Sequence, residues 1–109
     1  MRDRVSHFEL YVILAVMRLD NDAYGVQVCE EMTRHLRDKT ISSASVYAAL
    51  ERLESKKWVR RKLGDATPVR GGKAKTYFSA TPKGIAAARE DQRAMMSLWS
   101  GIPALGDVS

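Results

Sequence analysis

The ten residues from Phe8 to Met17 are apolar at every position except Glu9. Ser6, followed three residues later by Glu9, is a capping-box pattern and predicts a helix that runs to about Leu19. A helix that is hydrophobic on all sides must be covered on all sides. A chain of 109 residues forms one compact domain with a modest core, which covers only one face of such a helix. The sequence therefore predicts that a second subunit covers the other face.

The rest of the chain predicts three further helices and a β-hairpin. Apolar residues recur at helical spacing in the second and third helices, and the pattern then changes to strand-like segments around a Pro- and Gly-containing tip, Gly64 to Ala74. Thr81-Pro82 is a strong start for the last helix, with Thr as N-cap and Pro at the first helical position. The predicted elements are helices over 6–19, 23–36 and 42–56, strands over 58–63 and 75–80, and a helix over 81–99.

This order predicts an α+β fold, mainly α: a winged helix-turn-helix followed by a C-terminal dimerisation helix. We expect one domain over 1–109, with the winged helix-turn-helix over 6–80, the last helix over 81–100 and a flexible tail over 101–109. Residues near one seam of the last helix have roughly heptad spacing, which suits helix–helix pairing. They are Ile85, Ala88, Gln92, Met95, Met96 and Trp99.

Positive charge is concentrated between Arg52 and Lys75. This segment holds nine basic residues against two acids, Glu54 and Asp65, a net charge of +7 that exceeds the +5 of the whole chain. Such a concentration over a helix end and both arms of a hairpin favours neutralisation of nucleic-acid phosphates over an ordinary solvated surface. In a helix-turn-helix, bases are read near the start of the second helix. The candidate DNA-binding residues are Ser42, Ser43, Ser45, Tyr47, Arg52, Lys56, Arg70, Lys73 and Lys75.

We expect the third helix to bury a stripe of Val46, Leu50 and Leu53. Its other face is expected to expose small and basic residues that permit close approach to a polyanion. These are Ser45, Ala48, Ala49, Arg52 and Lys56.

Three blocks of sequence resemble the PadR family of winged-helix transcriptional regulators. They are Ala23-Tyr24-Gly25, the stretch from Ile41 to Glu54 (ISSASVYAALERLE), and the stretch from Gly72 to Thr81 (GKAKTYFSAT) with Pro82-Lys83-Gly84 after it. The second block is similar to the family's Leu-Ser-Pro-Gly-Thr-Leu-Tyr-Pro-Ala-Leu-x-Arg-Leu-Glu. It departs at Ser43-Ala44, where the family has Pro-Gly.

The resemblance implies a homodimeric repressor on a pseudo-palindromic operator. Members of the family typically dimerise by packing the C-terminal helix against the partner's N-terminal helix, and some bind phenolic or hydrophobic effectors near that interface. The implied interface and effector pocket consist of Phe8, Tyr11, Val12, Ala15, Ile85, Ala88, Met95, Met96 and Trp99. For Trp99 and its neighbouring methionines, packing alone and an aromatic effector both stay open. So do repression and activation.

Other classes of function find little support. No nucleophile–base–acid set is present, so we expect no enzyme, and we expect no cofactor or metal because His7 and His35 are isolated. Asp20, Asp22 and Glu31 have a spacing similar to that of the acidic residues in a calcium-binding loop, but an ordinary turn leading into a helix is the favoured interpretation. The alternative function is a winged-helix module whose basic face binds an acidic protein.

The expected location is the cytoplasm, with no membrane contact. The single Cys29 cannot form an internal disulfide, which fits a reducing compartment, and core packing is favoured for it over redox sensing. The apolar run after the charged N-terminus is far shorter than the ~20 residues that a bilayer requires. It also lacks a signal-peptide cleavage site.

Overall fold

The computed structural model describes residues 6–20, 23–64 and 76–106. Its helices are α1 (His7–Arg18), α2 (Gly25–Leu36), α3 (Ser43–Ser55) and α4 (Pro82–Trp99). Its strands are β1 (Ala23–Tyr24), β2 (Val59–Leu63) and β3 (Thr76–Ala80), and a short 3₁₀ helix follows at Pro103–Leu105. This is the predicted winged helix-turn-helix, mainly helical, and it contains one short strand, β1, that the sequence did not predict.

The three strands form an antiparallel sheet in the order β1-β3-β2. Ala23 pairs with Phe78 and Tyr24 with Tyr77, so the residues expected to open the second helix form a sheet edge instead. Helix α2 consequently begins at Gly25, two residues later than predicted.

Caps decide where the helices begin. The Ser6 hydroxyl accepts a hydrogen bond from the Glu9 amide at 3.1 Å, as the capping pattern predicts. The Thr81 hydroxyl accepts one from the Gly84 amide at 3.0 Å and donates one to the Lys57 carbonyl at 2.6 Å. Thr81 therefore both caps α4 and fastens its start to the turn between α3 and β2.

The core lies between α1, α2, α3 and the inner face of the sheet. Its largest fully buried side chains are Val12, Ile13, Val16, Val28, Val46, Leu50, Leu53, Val59 and Phe78. Helix α4 contributes only Gly84 and Ala88 as buried residues, and in its C-terminal half Met95 packs half-buried against the core. Within the described part of the chain, every helix is too short or too polar to cross a lipid bilayer.

Candidate nucleic-acid interface

The start of α3 carries three serines, of which Ser42 and Ser43 are exposed and Ser45 is half-buried; two of them form the cap. Ser42 is the N-cap: its hydroxyl accepts from the Ser45 amide at 3.1 Å and donates to the Ser45 hydroxyl at 3.0 Å. The Ser45 hydroxyl in turn donates to the Ser42 carbonyl at 2.8 Å. Within the described residues, the exposed Ser43 hydroxyl has no hydrogen-bond partner. Ser43 can therefore meet a base edge or phosphate without breaking an existing bond.

The Tyr47 ring lies directly over Gly25, the first residue of α2. A Cβ built on Gly25 would lie 2.1 Å from Cζ of Tyr47 and 2.3 Å from its hydroxyl oxygen. Only glycine leaves room for this approach. Tyr47 is thus partly exposed, but its ring packs against the first residue of α2, the other helix of the helix-turn-helix.

The far end of α3 is engaged with α1. Glu9 is buried, and its two carboxylate oxygens contact the Lys56 ammonium at 3.1 Å and Nε of Arg52 at 3.5 Å. The Lys56 ammonium also lies 5.2 Å from the ring centroid of Trp58. The exposed face predicted for this helix is wrong at Ala49, which is buried in the core, and at Lys56, which is half-buried against Glu9. A carboxylate 47 residues away in sequence gives no local signal of this pairing.

The three predicted wing cations, Arg70, Lys73 and Lys75, lie outside the described residues. The hairpin arms nevertheless carry basic side chains that the site prediction omitted. Arg60 and Lys62 alternate along β2 and are exposed. Period-two spacing after Val59 was the signal that could have placed them on one face of the sheet.

A second surface, the α1–α4 groove, lies between the first and last helices. It has a volume of about 520 Å³. All six α4 residues of the predicted seam line it, together with residues of α1 that the prediction missed and with Arg89. The lining residues are Leu10, Leu14, Met17, Ile85, Ala88, Arg89, Gln92, Met95, Met96 and Trp99.

The α1 side of the predicted interface needs correction. Val12 and Ala15 are buried inside the chain's own core and are not available to a partner. Phe8 is half-buried against the core, and Tyr11 is exposed as expected. On a helix that is apolar all round, periodicity does not show which side faces inward. The uncovered apolar side chains of α1 are Tyr11, Leu14 and Met17.

Comparison with known proteins identifies this arrangement. The profile described as the transcriptional regulator PadR-like family matches residues 13–90 of the chain. The chain belongs to the PadR-like family. A relative, transcriptional regulator Rv3488 of Mycobacterium tuberculosis, is 34% identical over 79 residues, which are 72% of this chain and 68% of that protein.

Solved structures of PadR-like proteins share the fold. A PadR-like transcriptional regulator from Bacillus cereus superimposes with a TM-score of 0.71 at 19% identity, covering 94% of this chain and 93% of the other. A regulator from Eggerthella lenta gives 0.68 at 23% identity, with coverage of 94% and 89%. PadR-like proteins are transcriptional regulators rather than enzymes, which confirms that prediction.

A second buried carboxylate joins α1 to α2 of this PadR-like chain. Glu31 contacts Nε of Arg18 at 3.0 Å, Nε2 of His35 at 3.3 Å, and Arg34. The hydrogen bond from Arg18 holds the pKa of Glu31 below its ordinary value; burial opposes this shift, and the charges of Arg34 and His35 add to it. The acidic residue considered for a calcium loop is therefore a structural ion-pair centre.

Cys29 is half-buried, and its thiol donates to the Ile41 carbonyl at 3.6 Å. This contact ties α2 to the turn before α3, as expected of a packing cysteine. Within residues 6–20, 23–64 and 76–106 no group of three or more His, Cys, Asp or Glu side chains could hold a metal ion.

Proposed function

We propose that this PadR-like regulator is a homodimeric repressor that binds a pseudo-palindromic operator in double-stranded DNA. The start of α3, with Ser42, Ser43, Ser45 and Tyr47, would enter the major groove of each half-site. A two-fold dimer presents two such helices about 34 Å apart, one turn of B-DNA. Repression rather than activation is supported by the family resemblance alone.

The observation that carries the dimer is the unpartnered apolar surface around the α1–α4 groove. Trp99 is 46% exposed and Leu98 is 77% exposed. Leu14, Met17 and Met96 are exposed beside them. Contiguous apolar surface of this kind marks an interaction site on a soluble protein. A second copy offers the same surface, and a two-fold axis pairs the two copies reciprocally.

Sedimentation equilibrium tests the dimer with a matched pair of variants. Met96→Glu places a charge at the groove, whereas Ala94→Glu places the same charge on an exposed position of α4 outside it. We expect the parent and Ala94→Glu to sediment as dimers and Met96→Glu to dissociate. A monomeric parent, or equal effects of the two variants, would contradict the proposed interface.

Selection of bound fragments from the source genome tests the operator. We expect enriched fragments to share an inverted repeat with half-sites one helical turn apart. If no fragment is enriched and random duplex DNA cannot displace an acidic protein from the basic face, the protein-binding alternative is correct instead.

The α1–α4 groove also supports a second role, the binding of a small aromatic or hydrophobic effector. Arg89 and Gln92 add polar groups to an otherwise apolar lining, which provides the anchor that the sequence alone did not reveal. Apolar walls with a few polar groups are typical of small-molecule sites.

Tryptophan fluorescence tests the effector. Trp99 is exposed at the groove, whereas Trp58 is 5% exposed and lies beside Lys56. We expect aromatic compounds to change the emission of the parent and of Trp58→Phe, but not that of Trp99→Phe. If Trp58→Phe abolished the fluorescence response and Trp99→Phe kept it, the groove would be excluded as the effector site.

A further inference from the structure

The turn that follows α3 is bonded to the last turn of that helix. The Trp58 amide donates to the Leu53 carbonyl at 2.9 Å, and the Lys57 amide donates to the Glu54 carbonyl at 2.9 Å. Lys57 has a φ of 64°, in the left-handed region. This pair of hydrogen bonds around a left-handed residue is the Schellman ending of a helix. The turn is therefore a rigid continuation of α3.

The carbonyls of the same two residues hold the start of α4. The Lys57 carbonyl accepts a hydrogen bond from the Thr81 hydroxyl at 2.6 Å, and the Trp58 carbonyl accepts one from the Thr81 amide at 3.0 Å. Lys57 and Trp58 thus use their amides toward α3 and their carbonyls toward α4. One dipeptide connects the ends of the two helices.

Gly84 brings the backbone of α4 into direct contact with this turn. A Cβ built on Gly84 would lie 2.0 Å from the carbonyl oxygen of Trp58 and 3.0 Å from Cδ1 of Ile13. The missing side chain is what permits this close approach. We call Lys57, Trp58, Thr81 and Gly84 the α3–α4 joint. Neither helix can tilt at the joint without breaking a hydrogen bond or overlapping atoms.

Helix α4 is held most closely at its start. Its buried residues, Gly84 and Ala88, lie in its first two turns, and its later turns line the α1–α4 groove of about 520 Å³. Its 18 residues make it about 27 Å long. A tilt of about 10° at the joint would displace the far end by about 5 Å. That displacement exceeds the ~3.4 Å between adjacent base pairs of B-DNA.

We propose that the α3–α4 joint, through the hydrogen bond from the Thr81 hydroxyl to the Lys57 carbonyl, determines which half-site spacing the dimer accepts. The proposal rests on the homodimeric DNA binding proposed above and deepens it. If α4 carries the contact with the second copy, the path from one α3 to the other runs through both joints. A rigid joint fixes the separation of the two helices, whereas a loose joint accepts several separations. Thr81 is then a positioning residue, which selects spacing without touching DNA.

Substitutions at Thr81 separate its cap from the joint. Asp is a good N-cap acceptor, but its ionised carboxylate has no hydrogen to donate. Thr81→Asp therefore keeps the cap on the Gly84 amide and loses the hydrogen bond to the Lys57 carbonyl. Thr81→Ser keeps both bonds. Ser6→Asp is the matched control, because Ser6 caps α1 in the same way and lies outside the joint.

Selection from a pool of random-sequence duplexes, followed by sequencing of the bound molecules, tests the proposal. The readout is the distribution of separations between half-sites among the enriched inverted repeats. We expect one separation to dominate for the parent, Thr81→Ser and Ser6→Asp, because the DNA would have to twist to fit any other. For Thr81→Asp we expect the share of sites one base pair longer or shorter to rise about threefold or more. The half-site sequence should stay the same, since α3 itself is unchanged.

The outcomes separate this proposal from the one on which it rests. If Thr81→Asp keeps the parent's distribution, or Ser6→Asp broadens it equally, the joint does not select spacing, although the parent still binds inverted repeats. If the parent enriches no inverted repeat, the dimeric DNA-binding role fails and this proposal fails with it. Circular dichroism shows whether Thr81→Asp is folded. If it is not, Thr81→Val, which keeps the shape and adds no charge, takes its place, and an unchanged distribution for that variant overturns the proposal.

Discussion

Replacement of Glu9 by Gln is expected to destabilise the fold by removing a buried negative charge that two cations share. The Glu9 side chain is 5% exposed, and its carboxylate contacts Lys56 and Arg52. Gln occupies nearly the same volume and keeps one acceptor oxygen, so the change removes the charge and turns an amide N–H toward one of the two cations. The matched control is Glu54→Gln, because Glu54 also pairs with an arginine but is 38% exposed.

The magnitude follows from burial. Hydrogen bonds to charged groups contribute about 1.5–3 kcal/mol each, and breaking a fully buried ion pair costs about 3–5 kcal/mol. At Glu9 the cost is smaller than for a fully buried pair, because Arg52 is 52% exposed and can turn to water. We expect a loss of about 2 kcal/mol for Glu9→Gln. The exposed pair of Glu54 should contribute less than about 1 kcal/mol.

Urea unfolding followed by circular dichroism measures both changes. Parent and variants must be compared at one protein concentration, because association adds to the apparent stability. We expect the midpoint to fall clearly for Glu9→Gln, slightly for Glu54→Gln, and the slope with urea to stay unchanged. Equal losses at the two positions would refute the assignment of Glu9 as a buried link between α1 and α3.

Three further predictions concern other positions. Because the pKa of Glu31 is lowered in the fold, the ionised side chain stabilises the fold above the ordinary carboxyl pKa, and this stabilisation is lost as pH falls through the lowered pKa. Glu31→Gln should therefore make the free energy of unfolding less dependent on pH on the acid side, whereas Glu30→Gln, at an exposed position, should leave that dependence unchanged. Gly84→Ala would place a Cβ 2.0 Å from the backbone carbonyl oxygen of Trp58, so we expect the free energy of unfolding to fall by about 1–3 kcal/mol. An unaltered Tm in thermal unfolding would contradict this close packing. Ser42→Ala removes the α3 cap and should cost about 1 kcal/mol in urea unfolding, whereas Ser43→Ala should cost much less.

Much of the fold could be predicted from local signals in the sequence. Ser6 and Thr81 mark helix starts through caps that involve residues only three positions away, and both caps are present. Strand β1 has two residues, which is too short for a periodic pattern, and only its pairing with β3 defines it.

The site was predicted less completely, because its charges are balanced over long sequence distances. Nothing near Lys56 indicates that Glu9 pairs with it, and a basic run looks equally exposed at every position. Arg60 and Arg61 look alike in the sequence, and only the register of the sheet, which is fixed by the core, places Arg61 opposite Phe78. Val12 and Leu14 are equally apolar, so only tertiary packing shows that the first is buried and the second exposed.

The packing of the Tyr47 ring against Gly25 should limit which residues evolution can place at these two positions. Any side chain at position 25 would collide with the ring, and the ring would have to leave its place. Relatives that keep the aromatic residue should keep the glycine, and relatives that lose one should be free to lose the other. The two positions should therefore vary together among PadR-like sequences, although they lie 22 residues apart in the chain and on different helices.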